Sequence, residues 1–593
     1  MKKYLLKLSR TQQRGFNKPI YGYDIETYTK KNKFYCGSIY GDNFKETYFS
    51  KDDVINALHH PRFRNSYIAA TNLSFDFMGT FYKKPAEYGF NLLFRGSELI
   101  TAKSYLRDRK FYRHRKEAGT GNMITFIDTR NYAALSVENL GKLLGSSKLK
   151  KPACLGRIPD NIKEKEEIVT YNLRDAEISQ KAIKFFYQSF INLGATPKPT
   201  IAATSMSLYK NKYLHNDYFV HKVPDLQEQF KSYYGGRCEA FSRGMIRNYN
   251  YYDFNSLYPF VMTKDYPDPN TMRLTYKNHI GYIKEYEGIS EVEISCPYMK
   301  YPLLPYRTDT KLLFPIGRWR ASYTHIELRK ALKLGYKIHN VYKTYYFKAT
   351  IAPFRDFVND LYSLRLRYKR DKNPMQYVVK IMLNSLYGKF GQRFWDRDNW
   401  QPFNLTLEEL QKLDSFERFG NYIRTVMKQT IPASFCFPIW ASYITSYARL
   451  HLYDSIIRSE PVYCDTDSLL TKYEFSDSNR LGELKIENSV KYGYIVKPKF
   501  YALINDDGEQ TAKIKIKGLG TRLSLTQFYE FLENPQKSYD KFVKFKEVMR
   551  RNLLPNEIID MTKHMDLEDN KRVWDNNFNP SVLEGSEPIK IDT

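Results

Sequence analysis

The sequence predicts an α/β protein of several domains. Three observations carry that expectation. At 593 residues the chain exceeds what one hydrophobic core can serve. Strand-like runs ending on carboxylates, such as KPIYGYDIETYT at 18–29 and YCDTDS at 463–468, are separated by helix-like runs such as TYNLRDAEIS at 170–179 and KIMLNSLYGKFG at 380–391. No apolar run approaches a membrane span, and in the opening MKKYLLKLSRTQQRG, Lys7 and Arg10 interrupt the apolar stretch short of a signal peptide. The expectation is a soluble, cytoplasmic monomer.

The N-terminal third holds one acidic set. Apolar and polar residues roughly alternate through 18–29, so that Asp24 and Glu26 share a face of one strand. TNLSFDF at 71–77 adds Asp76, and the helix-like 170–179 adds Asp175 with Tyr171 one turn earlier.

A second acidic set lies further on. DFNSLYP at 253–259 and YCDTDS at 463–468 each end a strand on aspartate, and a basic helix-like run stands between them. Acid, base and acid in this order suggest template-directed phosphoryl transfer. Joining a nucleotide to a 3′ end needs a lowered hydroxyl pKa and neutralised pyrophosphate charge, tasks that two divalent ions on carboxylates share. Magnesium favours oxygen ligands and takes one or two carboxylates, and manganese is expected to substitute. Asp253 and Asp467 are the expected shared ligands, with Asp465 beside them and the Phe254 carbonyl as a further oxygen. On a helix, Lys380, Asn384, Tyr387 and Gly388 fall on one face. Lys380 is then expected to bind phosphate, Tyr387 and Gly388 to line the nascent base pair, and Lys389 to lie near template or primer. Singly, each string reads as a turn or a surface helix; their order and internal spelling decide otherwise.

These strings resemble motifs A, B and C of family B DNA polymerases. YYGGRCEAF at 233–241, KFY at 499–501 and TSYAR at 445–449 are similar to short motifs of the protein-primed subgroup, the small replicases of bacteriophages and linear plasmids. The N-terminal strings resemble the three motifs of the DEDDy 3′ to 5′ exonucleases. The resemblance implies an RNase H-like exonuclease domain followed by a right-hand polymerase of palm, fingers and thumb, with insertions of the protein-primed type.

It also implies roles. Asp24, Glu26, Asp76 and Asp175 would hold two metal ions, with Tyr171 orienting the attacking water. Asn72 and Phe75 would grip a frayed primer end, Phe75 equally fitting a core position. Tyr258 would lie under the incoming sugar and exclude a 2′-hydroxyl. Tyr233, Gly235, Gly236, Thr445, Arg449, Lys499 and Tyr501 would contact DNA. The family's Ser/Thr-Leu pair stands here as Thr129-Arg130, and its exonuclease lysine falls among Lys148, Lys150 and Lys151. The partners implied are a DNA primer-template, deoxynucleoside triphosphates and a terminal protein.

The expected division follows. Residues 1–195 form the exonuclease, 196–260 the link and first palm part, 261–355 an insertion, 356–390 the fingers, 391–431 a second insertion, 432–519 the palm with motif C, and 520–563 the thumb. Residues 564–593 are expected to be an acidic, mobile tail, with 3 basic and 7 acidic residues, 3 − 7 = −4. In the fingers, helices over 352–371 and 374–390 meet near Pro374, and one of Arg365, Arg367, Lys369 and Arg370 is expected at the triphosphate. Lys499 and Tyr501 are expected on one face of a strand.

The whole-chain charge agrees. With 93 basic and 65 acidic residues it is 93 − 65 = +28, which favours a polyanion and salt-dependent binding. The 51 tyrosines and 38 phenylalanines add stacking surface and core. Six cysteines form no CxxC pair, which argues against a zinc site or disulfide framework. Two other readings remain at this stage: a polymerase that starts on nucleic-acid primers or without a primer, and a catalytically silent DNA-binding protein.

Overall fold

The structure is a computed structural model describing all residues except 1–5, 29–32, 82–86, 97, 221–222, 394–398, 404, 412, 420, 428–431, 506–507, 518–522, 543–557, 565 and 593. A mixed sheet organises the N-terminal third. Its strands Ile20–Tyr28, Tyr67–Ala70 and Met123–Asp128 run parallel, and Lys33–Gly41 and Glu98–Arg107 flank them antiparallel. The 32-residue helix Ile162–Leu193 covers this sheet. Asn161 caps its start by accepting from the Glu164 amide, and Gly194, at φ 98°, ends it. The helix comes so close to the first strand that a Cβ on Gly22 would lie 1.8 Å from the Ala176 carbonyl oxygen. That approach brings the helix carboxylate to the strand carboxylates.

The palm is a second sheet, in the order Cys238–Ala240, Tyr463–Asp465, Ser468–Thr471, Ser242–Phe254, Leu484–Lys497, Phe500–Asn505 and Gly508–Ile516. Helix Pro438–Ser459 lies in the core beside it, joined there by the finger helices Arg355–Arg370 and Met375–Ser385. The first insertion contributes strands Met272–Thr275, Glu287–Cys296, Ile316–Thr324 and Lys337–Phe347 to a separate sheet. Beyond the palm, helix Leu525–Glu533 and the hairpin Gln536–Phe542 with Ile558–His564 occupy the expected thumb.

Two parts of the chain depart from expectation. The segment expected as a second insertion is continuous with the N-terminal sheet: Asn399–Pro402 pairs with Asn91–Arg95, Trp400 is buried in the core of that sheet, and the Tyr422 hydroxyl donates to the Phe90 carbonyl. The acidic tail is packed where it is described, over 566–592, because cations take up its charge. Arg243 binds Glu568 and Glu584 at 2.6 and 3.1 Å, and Lys590–Asp592 joins the insertion sheet beside Ile316–Thr324. Its carboxylates complement buried arginines.

Candidate active sites

At the N-terminal site, alternation along Ile20–Tyr28 puts Asp24 and Glu26 on one face, and the long helix adds Asp175. One carboxylate oxygen from each of the three lies within 4.8 Å of the others. Asp76, from helix Leu73–Phe81, accepts from the Ile25 amide at 3.3 Å. The remaining oxygen of Asp76 and the Oδ1 of Asp175 are buried and make no hydrogen bond. Buried acceptors left over in this way suit a bound cation. Burial pushes Asp24 up, and the Asp76 charge pushes it further. Burial and then Asp175 bring Glu26 to about 7.

The chain neutralises only part of this charge. Lys148 Nζ donates to Asp175 and sits 4.7 Å from the Tyr171 ring centroid, which selects it from the three lysines. Burial opposes its charge, but the hydrogen bonds to Asp175 and Tyr171 prevail and raise its pKa. Asn172 donates to Asp24 at 2.6 Å. Its place three residues before Asp175, on the same helix face, was a usable sequence signal. Asn72, at φ 76°, is held by Asp128, which accepts from the amides of Asn72, Leu73 and Arg130. Exposed Arg130 donates to the side-chain Oδ1 of Asn72 at 3.3 Å, while Thr129 is buried. Phe75 is half-buried against the core of the N-terminal sheet.

The second site is made by pairing segments that are far apart in sequence. Asp253, at the end of Ser242–Phe254, faces Ser468, and the Phe254 amide donates to the Asp467 carbonyl at 2.8 Å. Thr466, at φ 63°, turns the chain between Asp465 and Asp467, and Gly236 packs on it so closely that a Cβ would lie 2.8 Å from its methyl. Burial and then the Asp467 charge push Asp253 up to about 7; burial and then Asp465 bring Asp467 to about 6. Two half-buried carboxylates that resist joint ionisation form a donor set suited to a divalent cation.

Asp465 differs from the expected third ligand. Its oxygens accept from Lys499 at 2.7 and 2.9 Å and from Lys515 at 3.2 Å. Burial alone would raise its pKa, but the two ammonium groups hold it below the ordinary value. It therefore fixes two cations at the site in place of offering a free carboxylate. Lys499 lies in a turn at φ 60°, before strand Phe500–Asn505, and Tyr501 is buried with its ring centroid 5.3 Å from that of Tyr463. Lys499 and Tyr501 both turn toward Tyr463 and Asp465, as the expected shared face requires, but the tyrosine fills the palm core, which corrects the DNA contact expected of Tyr501.

The same correction applies to Thr445 and Arg449. Both are buried in helix Pro438–Ser459, where Thr445 donates to the Ala441 carbonyl and Arg449 pairs with Glu327 at 2.7 Å. Arg449 also donates to the carbonyls of Tyr234 and Gly235. It holds the glycine link in place and does not face solvent. Tyr233 and Gly235 line a 440 Å³ groove with Arg307, Gly391 and Arg393.

The finger helices present the remaining residues. Lys380, Asn384 and Gly388 are exposed, and Tyr387 is half-buried on the next short helix, Tyr387–Phe390. Tyr387 stacks on Tyr258 with centroids 4.4 Å apart and planes 6° apart. A Cβ at Gly388 would meet no atom within 4 Å, so nothing in the protein itself demands glycine there. Lys389 donates to Gln392 at 3.1 Å. Of the four basic candidates, Arg365 turns inward and donates at 3.0 Å to Ser256, which stands at φ 52° within DFNSLYP; Arg367, Lys369 and Arg370 are exposed. Neither Lys515 nor the inward turn of Arg365 had a local sequence signal.

The raised carboxylates have a pH consequence. Unfolded carboxylates titrate near ~4. Between there and the folded values of about 7 for Asp253 and Glu26, the folded chain keeps protons that the unfolded chain releases. Their contribution therefore favours folding below that window and is lost as pH rises through it. A cation competing for these sites should offset the loss. Magnesium is expected to raise the melting temperature by a few degrees more at about pH 8 than at about pH 5.5. Equal shifts in a melting titration would contradict this.

Comparison with known proteins places this geometry. Residues 165–414 match the family described as DNA polymerase type B, organellar and viral. A probable DNA polymerase of Neurospora intermedia is 25% identical over 411 residues, covering 62% of this chain and 41% of the relative. The DNA-directed DNA polymerase of Enterobacteria phage PRD1 is 28% identical over 372 residues, covering 60% of this chain and 62% of the relative. The chain thus spans less than two thirds of these relatives. A solved structure of phi29 DNA polymerase with primer-template DNA superposes with a TM-score of 0.71 at 16% identity, covering 93% of this chain and all of that one. Over 165–414 the chain is thus similar to the type B DNA polymerases of the organellar and viral kind, and it shares the fold of phi29 DNA polymerase.

Proposed function

We propose that the protein is a DNA-directed DNA polymerase with a separate 3′ to 5′ exonuclease site, replicating a viral or plasmid genome and starting on a terminal protein. The observation that carries the reading is the meeting of Asp253 and Asp467 at neighbouring strand ends in the middle of the palm sheet, both pushed up by burial and by carboxylate charge, with Lys513 and the finger residue Lys380 acting on Asp253 and Lys499 on Asp467. When bound there, divalent ions lower the pKa of the attacking hydroxyl and neutralise charge developing on phosphate. Asp253, Asp467 and the Phe254 carbonyl would hold them, with magnesium favoured by the all-oxygen donors. Lys380 and Arg365 bind the triphosphate from the finger side. The open face at Gly388 accepts the nascent base pair.

At the other site, Asp24, Glu26, Asp76 and Asp175 supply the oxygens, Tyr171 orients water, and Lys148 limits repulsion among the acids. Asn72, Phe75 and Arg130 line the approach of a frayed strand. Terminal-protein priming rests on the two insertions, 261–355 and 391–431, at the places where protein-primed replicases carry theirs. The test of the whole reading is template- and magnesium-dependent incorporation of a labelled deoxynucleotide, which a silent binding protein would not show.

The Tyr258–Tyr387 stack supports selection of deoxyribose, because a ring packed face to face on Tyr387 cannot move toward it to make room for a 2′-hydroxyl. Tyr258→Val should raise ribonucleotide use relative to deoxynucleotide use by about 100-fold, the effect of removing roughly 3 kcal/mol of steric exclusion. Unchanged discrimination in competition assays would remove Tyr258 from this role.

A further inference from the structure

The segment 566–592 reaches from beyond the thumb to the back of the palm and lies against the strand next to motif C. Arg572 is its centre. The side chain is fully buried and donates to Ser586 Oγ at 2.7 Å, to the Lys300 carbonyl of the first insertion at 3.0 Å, and to Glu239 at 3.5 Å. Glu239 is itself buried and receives Arg237 on its other oxygen at 2.6 Å. The result is a buried Arg–Glu–Arg arrangement in which one arginine comes from the C-terminal segment.

Glu239 lies on Cys238–Ala240, the strand paired with Tyr463–Asp465, where Cys238 faces Asp465 and Glu239 faces Cys464. The Arg237 carbonyl accepts the Thr466 amide at 2.6 Å, so the same strand anchors the turn between the two motif C aspartates. Lys571 adds a bond to the Cys238 carbonyl at 2.9 Å. Ser586 donates to the Phe241 carbonyl from both its amide and its hydroxyl, at 3.1 and 2.9 Å, closing the segment over the strand. A short strand of 3 residues has little pairing of its own with which to resist displacement. Its position depends on what holds its back.

We propose that the C-terminal segment is a positioning element of the polymerase site, with Arg572 fixing, through Glu239 and the strand that carries it, the turn that sets Asp465 and Asp467. The proposal rests on the polymerase reading for its catalytic consequence, and its structural consequence is independent of that reading. Arg572 touches no substrate. Losing it would leave Glu239 with one partner in place of two and remove the bonds by which Arg572 holds Ser586 in place against the Phe241 carbonyl, and a buried pair that loses one member relaxes toward water.

The experiment uses the full chain with Arg572→Ala, and with Lys571→Met as a milder change. Hydrogen exchange over 463–468 is expected to rise about tenfold in Arg572→Ala, with 20–28 unchanged. Primer extension should lose about tenfold or more in kcat with the deoxynucleotide KM held, and single-strand shortening should stay within about twofold. Free guanidinium should restore part of the extension rate. Lys571→Met should show the same pattern at about threefold, and it decides the matter if Arg572→Ala does not fold. Unchanged exchange at 463–468 in a folded variant, or parallel loss of both activities with the melting temperature, would overturn the proposal. Faster exchange in a protein whose wild type never extends a primer would overturn the polymerase reading and leave the brace standing.

Discussion

Replacing Asp24 and Glu26 together by alanine should abolish shortening of a primer, by about 1,000-fold or more, and leave extension within about twofold of wild type. The loss follows from removing two of the three carboxylates whose oxygens gather within 4.8 Å, which corresponds to roughly 4 kcal/mol of transition-state stabilisation. Sparing of extension follows from the architecture. The two carboxylates sit in the N-terminal sheet, and Asp253 and Asp467 sit at strand ends in the middle of the palm sheet. No residue of one set belongs to the other. Gel assays on a labelled primer, with and without nucleotides, read both activities in one sample, and equal loss of both would defeat the model of two sites.

The complementary change is expected at the palm. Asp253→Ala or Asp467→Ala should remove extension by about 1,000-fold or more while shortening continues. Asp465→Asn is expected to behave differently. Its carboxylate is occupied by Lys499 and Lys515, so the change frees two ammonium groups but leaves both unpaired aspartates in place. Extension should fall by about 10- to 100-fold, with a raised KM for primer-template in steady-state kinetics. Loss as complete as that of Asp253→Ala would return Asp465 to the set of direct ligands.

Much of this was legible in the sequence because the chemistry leaves local marks. Carboxylates two residues apart on a strand, or at strand ends before a turn, declare themselves by period and composition, and the finger helices followed from Pro374 and the spacing of Lys380, Asn384 and Gly388. Residues whose role depends on distant pairing did not. Lys515 reaches Asp465 although four strands stand between theirs in the order of the palm sheet, and Arg365 faces motif A only because of how its helix packs. Thr445, Arg449 and Tyr501 carry recognisable motif spelling, yet burial makes them supports for neighbouring segments. Charge misled at the C terminus: a run with excess carboxylate reads as a solvated tail, and only the fold brings Arg243 to Glu568 and Glu584. The second insertion gave no sign that Trp400 would enter the exonuclease core, since strand pairing across domains has no local signature.

The most direct measurement gives the purified protein a 5′-labelled primer on a longer template with magnesium, with and without deoxynucleotides. The two acidic sites predict extension when nucleotides are present and shortening when they are absent, both lost on chelation of the metal. A primer unchanged in every lane across a range of salt and of divalent metals would contradict the account and favour a DNA-binding protein that keeps the fold without the chemistry.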